Sequence, residues 1–226
     1  KAALDCKQYE TSVSFYLDAN KLEQGQTSKD SAERVEAALL GAVDAAESSQ
    51  NSELIKRAYD AYITGSRTKT KFIEVSYQRA HMIYEKGDHA AAAEALRAVA
   101  LSAEPGPATL KKQAADLSLD ALVLLKDDSR VESWSRSYAA AFASSAEAQS
   151  EFKAIARKSV LTQATALAGA AGSLNSAWDV LNRFELAGAS VDEKTGYYKN
   201  KLILAEKLGK YGEARGAADD LLRQSN

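Results

Sequence analysis

Apolar residues recur at three- and four-residue spacings along most of the chain, the repeat expected when one face of a helix is buried. Near the start, "QYETSVSFYLDANKL", "SAERVEAALLGAVDAAESS" and "SELIKRAYDAYI" each carry such a stripe, and the polar segments "EQGQTSKD" and "SQN" separate them. Three amphipathic helices are predicted there. Next comes "FIEVSYQRAHMIYEKGDHAAAAEALRAVALSAEP", in which a helix is expected over 72 to 86, a turn at Gly87 and an N-cap at Asp88. Ala92 follows Gly87 by five positions, Leu96 comes four later and Val99 three later. Those offsets set a small residue and two larger ones on one helical face, so that two helices can approach closely.

The order recurs. In "LAGAAGSLNSAWDVLNRFE", Gly172 is followed at the same offsets by Ala177, Leu181 and Phe184, and in "LAEKLGKYGEARGAADDLL", Gly209 is followed by Ala214, Ala218 and Leu221. The separation between Gly172 and Gly209 is close to the roughly 34-residue period of two-helix repeats. From Gly87 to Gly172 there is room for two units, and "LKDDSRVESW" supplies the missing turn, with Lys126, Val131 and Trp134 in degenerate places. "SAEPGPATL" and "FELAGASVDEKT" break the chain between units. The chain is expected to be all-α, with about ten helices in one elongated domain over 1–226. Its N-terminal helices, 1–68, are less regular than the repeats over 69–226.

These units resemble the tetratricopeptide repeat family, whose pattern sets a Gly-x-Tyr turn before an alanine and closes on a proline. Gly209, Tyr211 and Ala214 match in the last copy, and Gly87, Ala92 and, one residue late, Pro105 in the first. Ala80, Thr165 and Leu202 stand where the family has a helix-packing glycine, and Leu96, Leu181 and Ala218 where it has a second aromatic. The match covers about 72 to 105 and 158 to 226. It implies an α-α superhelical solenoid whose first helices line a concave groove. More loosely, the whole chain is similar to repeat proteins that serve bacterial envelope machinery, which implies a periplasmic or cell-envelope setting over a cytoplasmic one, while the residues themselves leave the compartment open.

Composition agrees with helix: 46% hydrophobic residues, only two prolines, and a predominance of strong helix formers. A net charge of -2 with interspersed signs gives no single-sign field to attract nucleic acid. The short basic run "SRTKTK" is expected to be a solvated turn. With one cysteine, Cys6, no intrachain disulfide forms. "AALDC" is similar to a bacterial lipoprotein cleavage site, but Asp5 stands where a small residue should precede the cysteine, and Cys6 reads as a helix or core thiol. No apolar run approaches the length of a membrane span, so membrane insertion is not expected. A start at Lys1 is expected of a chain that is part of a longer protein, with a signal peptide or preceding domain removed.

Catalytic chemistry is not expected. "GASVDEKT" has phosphate-loop spacing, yet Glu193 occupies the place of the second glycine and would repel phosphate. His81 and His89 flank the Gly87 turn and are the only histidines, too few for a zinc site or a histidine-dependent nucleophile. Asp127, Asp128, Asp219 and Asp220 read as capping or solvated carboxylates. No metal, cofactor or catalytic residue is assigned.

A recognition surface remains. On the helix over 72 to 86, Glu74, Tyr77, His81, Tyr84 and Glu85 share one face, where tyrosines, a histidine and acids suit a bound peptide. Aromatic residues at that spacing more often fill a core position between units, and Tyr77 and Tyr84 also suit one. Trp134 and Trp178 read as packing residues, and Tyr59 and Tyr62 stay unassigned. The expected role is a non-catalytic scaffold or adaptor holding another protein or an extended peptide. The alternative is a self-associating structural component, joined through the C-terminal helix, where adjacent Leu221 and Leu222 diverge by about 100°.

Overall fold

The computed structural model describes residues 8–23 and 28–224. Cys6 lies outside the described residues. Eleven α-helices and no strand occur among them: α1 (Tyr9–Glu23), α2 (Lys29–Ser49), α3 (Ser52–Gly65), α4 (Phe72–Glu85), α5 (His89–Ala100), α6 (Ala108–Leu124), α7 (Asp128–Ala141), α8 (Ala146–Gly169), α9 (Leu174–Leu181), α10 (Val191–Lys207) and α11 (Tyr211–Gln224). The chain divides into two compact units, Lys1–Ser118 and Leu119–Asn226, with the division falling inside α6.

In the first unit each helix from α1 to α5 packs on the next. Val13, Leu17, Val35, Leu39, Tyr59 and Tyr62 belong to one buried cluster, the stripe that the three- and four-residue spacing predicts. α1 lies so close to α2 that a side chain at Gly41 would meet the Tyr16 ring at 2.7 Å. Caps set the boundaries. The Ser28 hydroxyl accepts from the Ser31 amide, and the Asn51 carboxamide accepts from the amides of Glu53 and Leu54.

The second unit packs α7 on α8, α8 on α9 and α10, and α10 on α11. Tyr138, Phe142 and Phe152 form an aromatic trio with centroids 5.4 to 6.5 Å apart. Phe184 stacks on Tyr197 at 4.8 Å. Between them, buried Arg157 of α8 grips Glu193 of α10 with two hydrogen bonds of 2.9 and 3.1 Å. Glu193 also accepts from the Ser190 amide, while Ser190 accepts from the Glu193 amide, a reciprocal cap that starts α10. The glutamate that spoils the phosphate-loop pattern is thus a helix-capping residue.

Helix pairs are joined by tight turns whose pivot residue has a left-handed backbone: Gln50 (φ 55°), Gly87 (82°), Lys126 (58°), Gly172 (78°) and Gly209 (69°). At Lys126, the Asp127 amide reaches back to the Leu122 carbonyl at 3.0 Å. At Gly209, the Lys210 amide does the same to Ala205 at 2.8 Å. Lys126 therefore takes the conformation glycine takes elsewhere. Five, nine and twelve positions beyond these pivots the helix faces turn inward. Ala92, Leu96 and Val99 are buried, as are Ala177, Leu181 and Phe184. After Lys126 the set is Val131, Ser135 and Tyr138, all buried, with Trp134 buried beside it. After Gly209, Ala214 is buried while Ala218 and Leu221 are half-buried. After Gln50, Ile55 is half-buried and Tyr59 and Tyr62 are buried. The unit thus extends into the N-terminal region, where no glycine announces it.

Candidate functional site: two faces of α4

The helix α4 enters from the loop 66–71, and that loop is held by a buried acid. Glu36, 6% exposed on α2, accepts from the Tyr62 hydroxyl, from the Thr70 amide at 3.1 Å and hydroxyl, and from the Ser66 hydroxyl. Burial pushes the Glu36 carboxyl up. The hydroxyls of Ser66, Thr70, Tyr62 and Thr68 outweigh that and hold it below the ordinary glutamate value. Tyr62 in turn accepts from the Lys71 amide at 2.8 Å. Burial and Glu36 raise the Tyr62 phenol, which keeps it a proton donor. The segment "SRTKTK" is an inter-helix turn exposed at Arg67, Thr68, Thr70 and Lys71, as expected, and its Ser66 and Thr70 additionally anchor it to Glu36 as a strap before α4. Lys69 also pairs with Glu104 and lies 5.1 Å from the centre of the Phe72 ring.

The five residues expected on one face of α4 do lie along it, but they do not converge on one point. Tyr77 stacks on His81 at 6.0 Å, and His81 Nδ1 lies 3.5 Å from Glu85. Tyr84 meets His89 edge-on at 5.2 Å across the Gly87 turn. Glu74 pairs with Lys71 at 3.2 Å, and its Oε2 is buried with no hydrogen-bond partner. Both tyrosines are half-buried and Glu85 is exposed. Burial raises the Tyr77 phenol, with Asp116 of α6 adding to the effect, so Tyr77 stays a phenol donor on this face.

On the roughly opposite face, Phe72, Ser76, Arg79 and Ala80 line a groove of about 450 Å³. Ala95, Ala98 and Val99 of α5, Ile63 of α3 and Ser102, Ala103 and Glu104 complete its lining. Arg79 is held by Asp60 at 2.7 Å. Sequence reasoning missed this groove because alanine reads alike whether it presses on a helix or leaves a space. The available signal was Ala95 and Ala98, a helical step apart and half-buried or exposed, beside buried Ala92, Ala93 and Leu96.

In the second unit, buried Glu132 collects Arg136 at 3.4 Å, Arg183 at 3.3 Å and Gln163 at 3.0 Å, a paired network that ties α7 to α8 and to the segment after α9. Trp178 is half-buried, with Lys210 Nζ 4.2 Å from its ring centre. Among the described residues no cluster of three or more His, Cys, Asp or Glu is arranged to hold a metal ion, and no helix is long and apolar enough to cross a membrane.

Comparison with protein-family profiles, with curated proteins and with solved structures finds no match.

Proposed function

We propose that the chain is a non-catalytic scaffold or adaptor of the tetratricopeptide-like kind, its helix pairs stacked as a solenoid that holds another protein or an extended peptide. The observation that carries this reading is the recurrence of one register in successive helix pairs, each turning on a left-handed residue, with the inward positions at the same offsets. Such units expose extended faces made of many side chains, and α4 presents one with tyrosines, His81 and acids. The test is to capture binding proteins on the immobilised chain and on a Tyr77→Ala/Tyr84→Ala variant with the same melting temperature. The scaffold reading expects a protein retained by the parent and lost from the variant. Equal retention would remove the α4 face from the reading.

One observation favours the second reading, self-association: Leu222 on α11 is 66% exposed although its neighbour Leu221 is half-buried. Light scattering over a concentration series would show mass rising for the parent and not for Leu222→Glu.

A further inference from the structure

The groove between α4 and α5 is unlike the tyrosine-bearing face in its chemistry. Its walls are the Phe72 ring, Ile63, Val99 and the methyl groups of Ala80, Ala95, Ala98 and Ala103, and its volume of about 450 Å³ lies in the range that encloses a small organic molecule. The space exists because α5 is alanine-rich in two different ways. Ala92 and Ala93 are fully buried and draw the helices together, whereas Ala95 is half-buried and Ala98 exposed, so nothing fills the volume above them.

The charges at the groove decide what it accepts. Arg79 is neutralised by Asp60 at 2.7 Å, and Glu104 is neutralised by Lys69. Neither offers an unpaired charge, and an ionic ligand would have to break one of these pairs or be desolvated without compensation. Ser102 Oγ already accepts from the Glu104 amide at 3.2 Å, while the Ser76 oxygen, buried in the wall, makes no hydrogen bond. A cleft whose charges are paired, and whose Ser76 oxygen is covered by its own wall, matches a ligand with little polarity.

We propose that this groove is a binding site for an uncharged, largely apolar small molecule, seated between Phe72 and Ala98. The wall bearing Phe72 is fixed by the Glu36 strap, so the site is preformed rather than assembled by the ligand. This inference rests on the lining of the groove and is independent of the scaffold reading.

The probe is N-phenyl-naphthylamine, an uncharged dye that brightens in apolar surroundings, with its anionic sulfonate relative as comparison. Titration of the full chain is expected to give one saturable site for the uncharged dye and at least roughly tenfold weaker binding of the anion. Ala98→Phe and Ala95→Leu fill the groove and should each weaken dye binding by about tenfold or more, with helical signal and melting temperature kept. Ala91→Phe adds the same bulk to an exposed position of α5 away from the groove and should bind as the parent does. If Ala98→Phe fails to fold, Ala95→Leu carries the test. Absence of saturable binding, equal binding of the anion, or undiminished binding by a folded groove-filled variant would overturn the proposal.

Discussion

The Tyr62 hydroxyl donates to Glu36 Oε1 at 2.5 Å, joining two helices of the first unit through a carboxylate that is almost wholly buried. The same acid collects the Ser66 and Thr70 hydroxyls, so one side chain from α2 fixes the end of α3, the loop and the start of α4. Glu36→Gln replaces a charged acceptor oxygen with a donor, so at least one of these hydroxyls must reverse its bond or lose its acceptor, and the charge assistance is lost. The expected cost is about 1 to 3 kcal/mol, read by urea unfolding, with local loosening of 66–71 in hydrogen exchange. Stability equal to the parent's would mean the strap is incidental.

The same lowered carboxyl sets a pH dependence. Because folding lowers the Glu36 pKa, the unfolded chain binds the proton more readily, and the stabilisation is fully present above the ordinary glutamate value of about 4.3. It is lost as pH falls through the lower folded value. Glu193 acts in the same sense in the second unit, where burial is outweighed by Arg157 and Ser190. The unfolding midpoint should be flat from about pH 6 to 8 and fall below about pH 5, and the fall should be shallower in Glu36→Gln.

The turns predict opposite signs for opposite substitutions. A side chain at Gly87 would meet nothing within 4 Å, so Gly87→Ala costs only the left-handed backbone, about 1 kcal/mol. Lys126 already bears that strain, and Lys126→Gly should stabilise by up to about 1 kcal/mol, less the freedom glycine adds to the unfolded chain. Thermal melts of the two variants shifting in the same direction would contradict the shared turn.

Two alanines on α5 separate packing from space. Ala92 is fully buried, and Ala92→Leu should overpack the helix contact at a cost of about 1 to 3 kcal/mol. Ala98 is exposed above the groove, and Ala98→Leu should stay within about 0.5 kcal/mol of the parent. Paired melting curves decide it.

Helices and their caps were legible because periodicity, Asp88 and Asp127 act locally; both aspartates accept from amides of the helix they start. The glycine pivots at 87, 172 and 209 were legible for the same reason, and Lys126 was found from spacing alone. Gln50 was not, since glutamine carries no preference for a left-handed turn and only the meeting of α2 with α3 imposes one. Glu36 stayed hidden because a glutamate on an amphipathic helix ordinarily faces water. Its burial depends on three hydroxyls some thirty residues away. The α4 face was legible as a stripe, but the division of its side chains among Lys71, Asp116 and His89 depends on neighbours no periodicity specifies.

Hydrogen exchange of the chain with and without a captured protein tests the scaffold reading most directly. The account predicts that amides of α4 and the Gly87 turn exchange more slowly in the complex, and that Tyr77→Ala/Tyr84→Ala abolishes both the complex and the protection while leaving the free chain's exchange unchanged. A stable complex that leaves α4 exchange as it is in the free chain would contradict it.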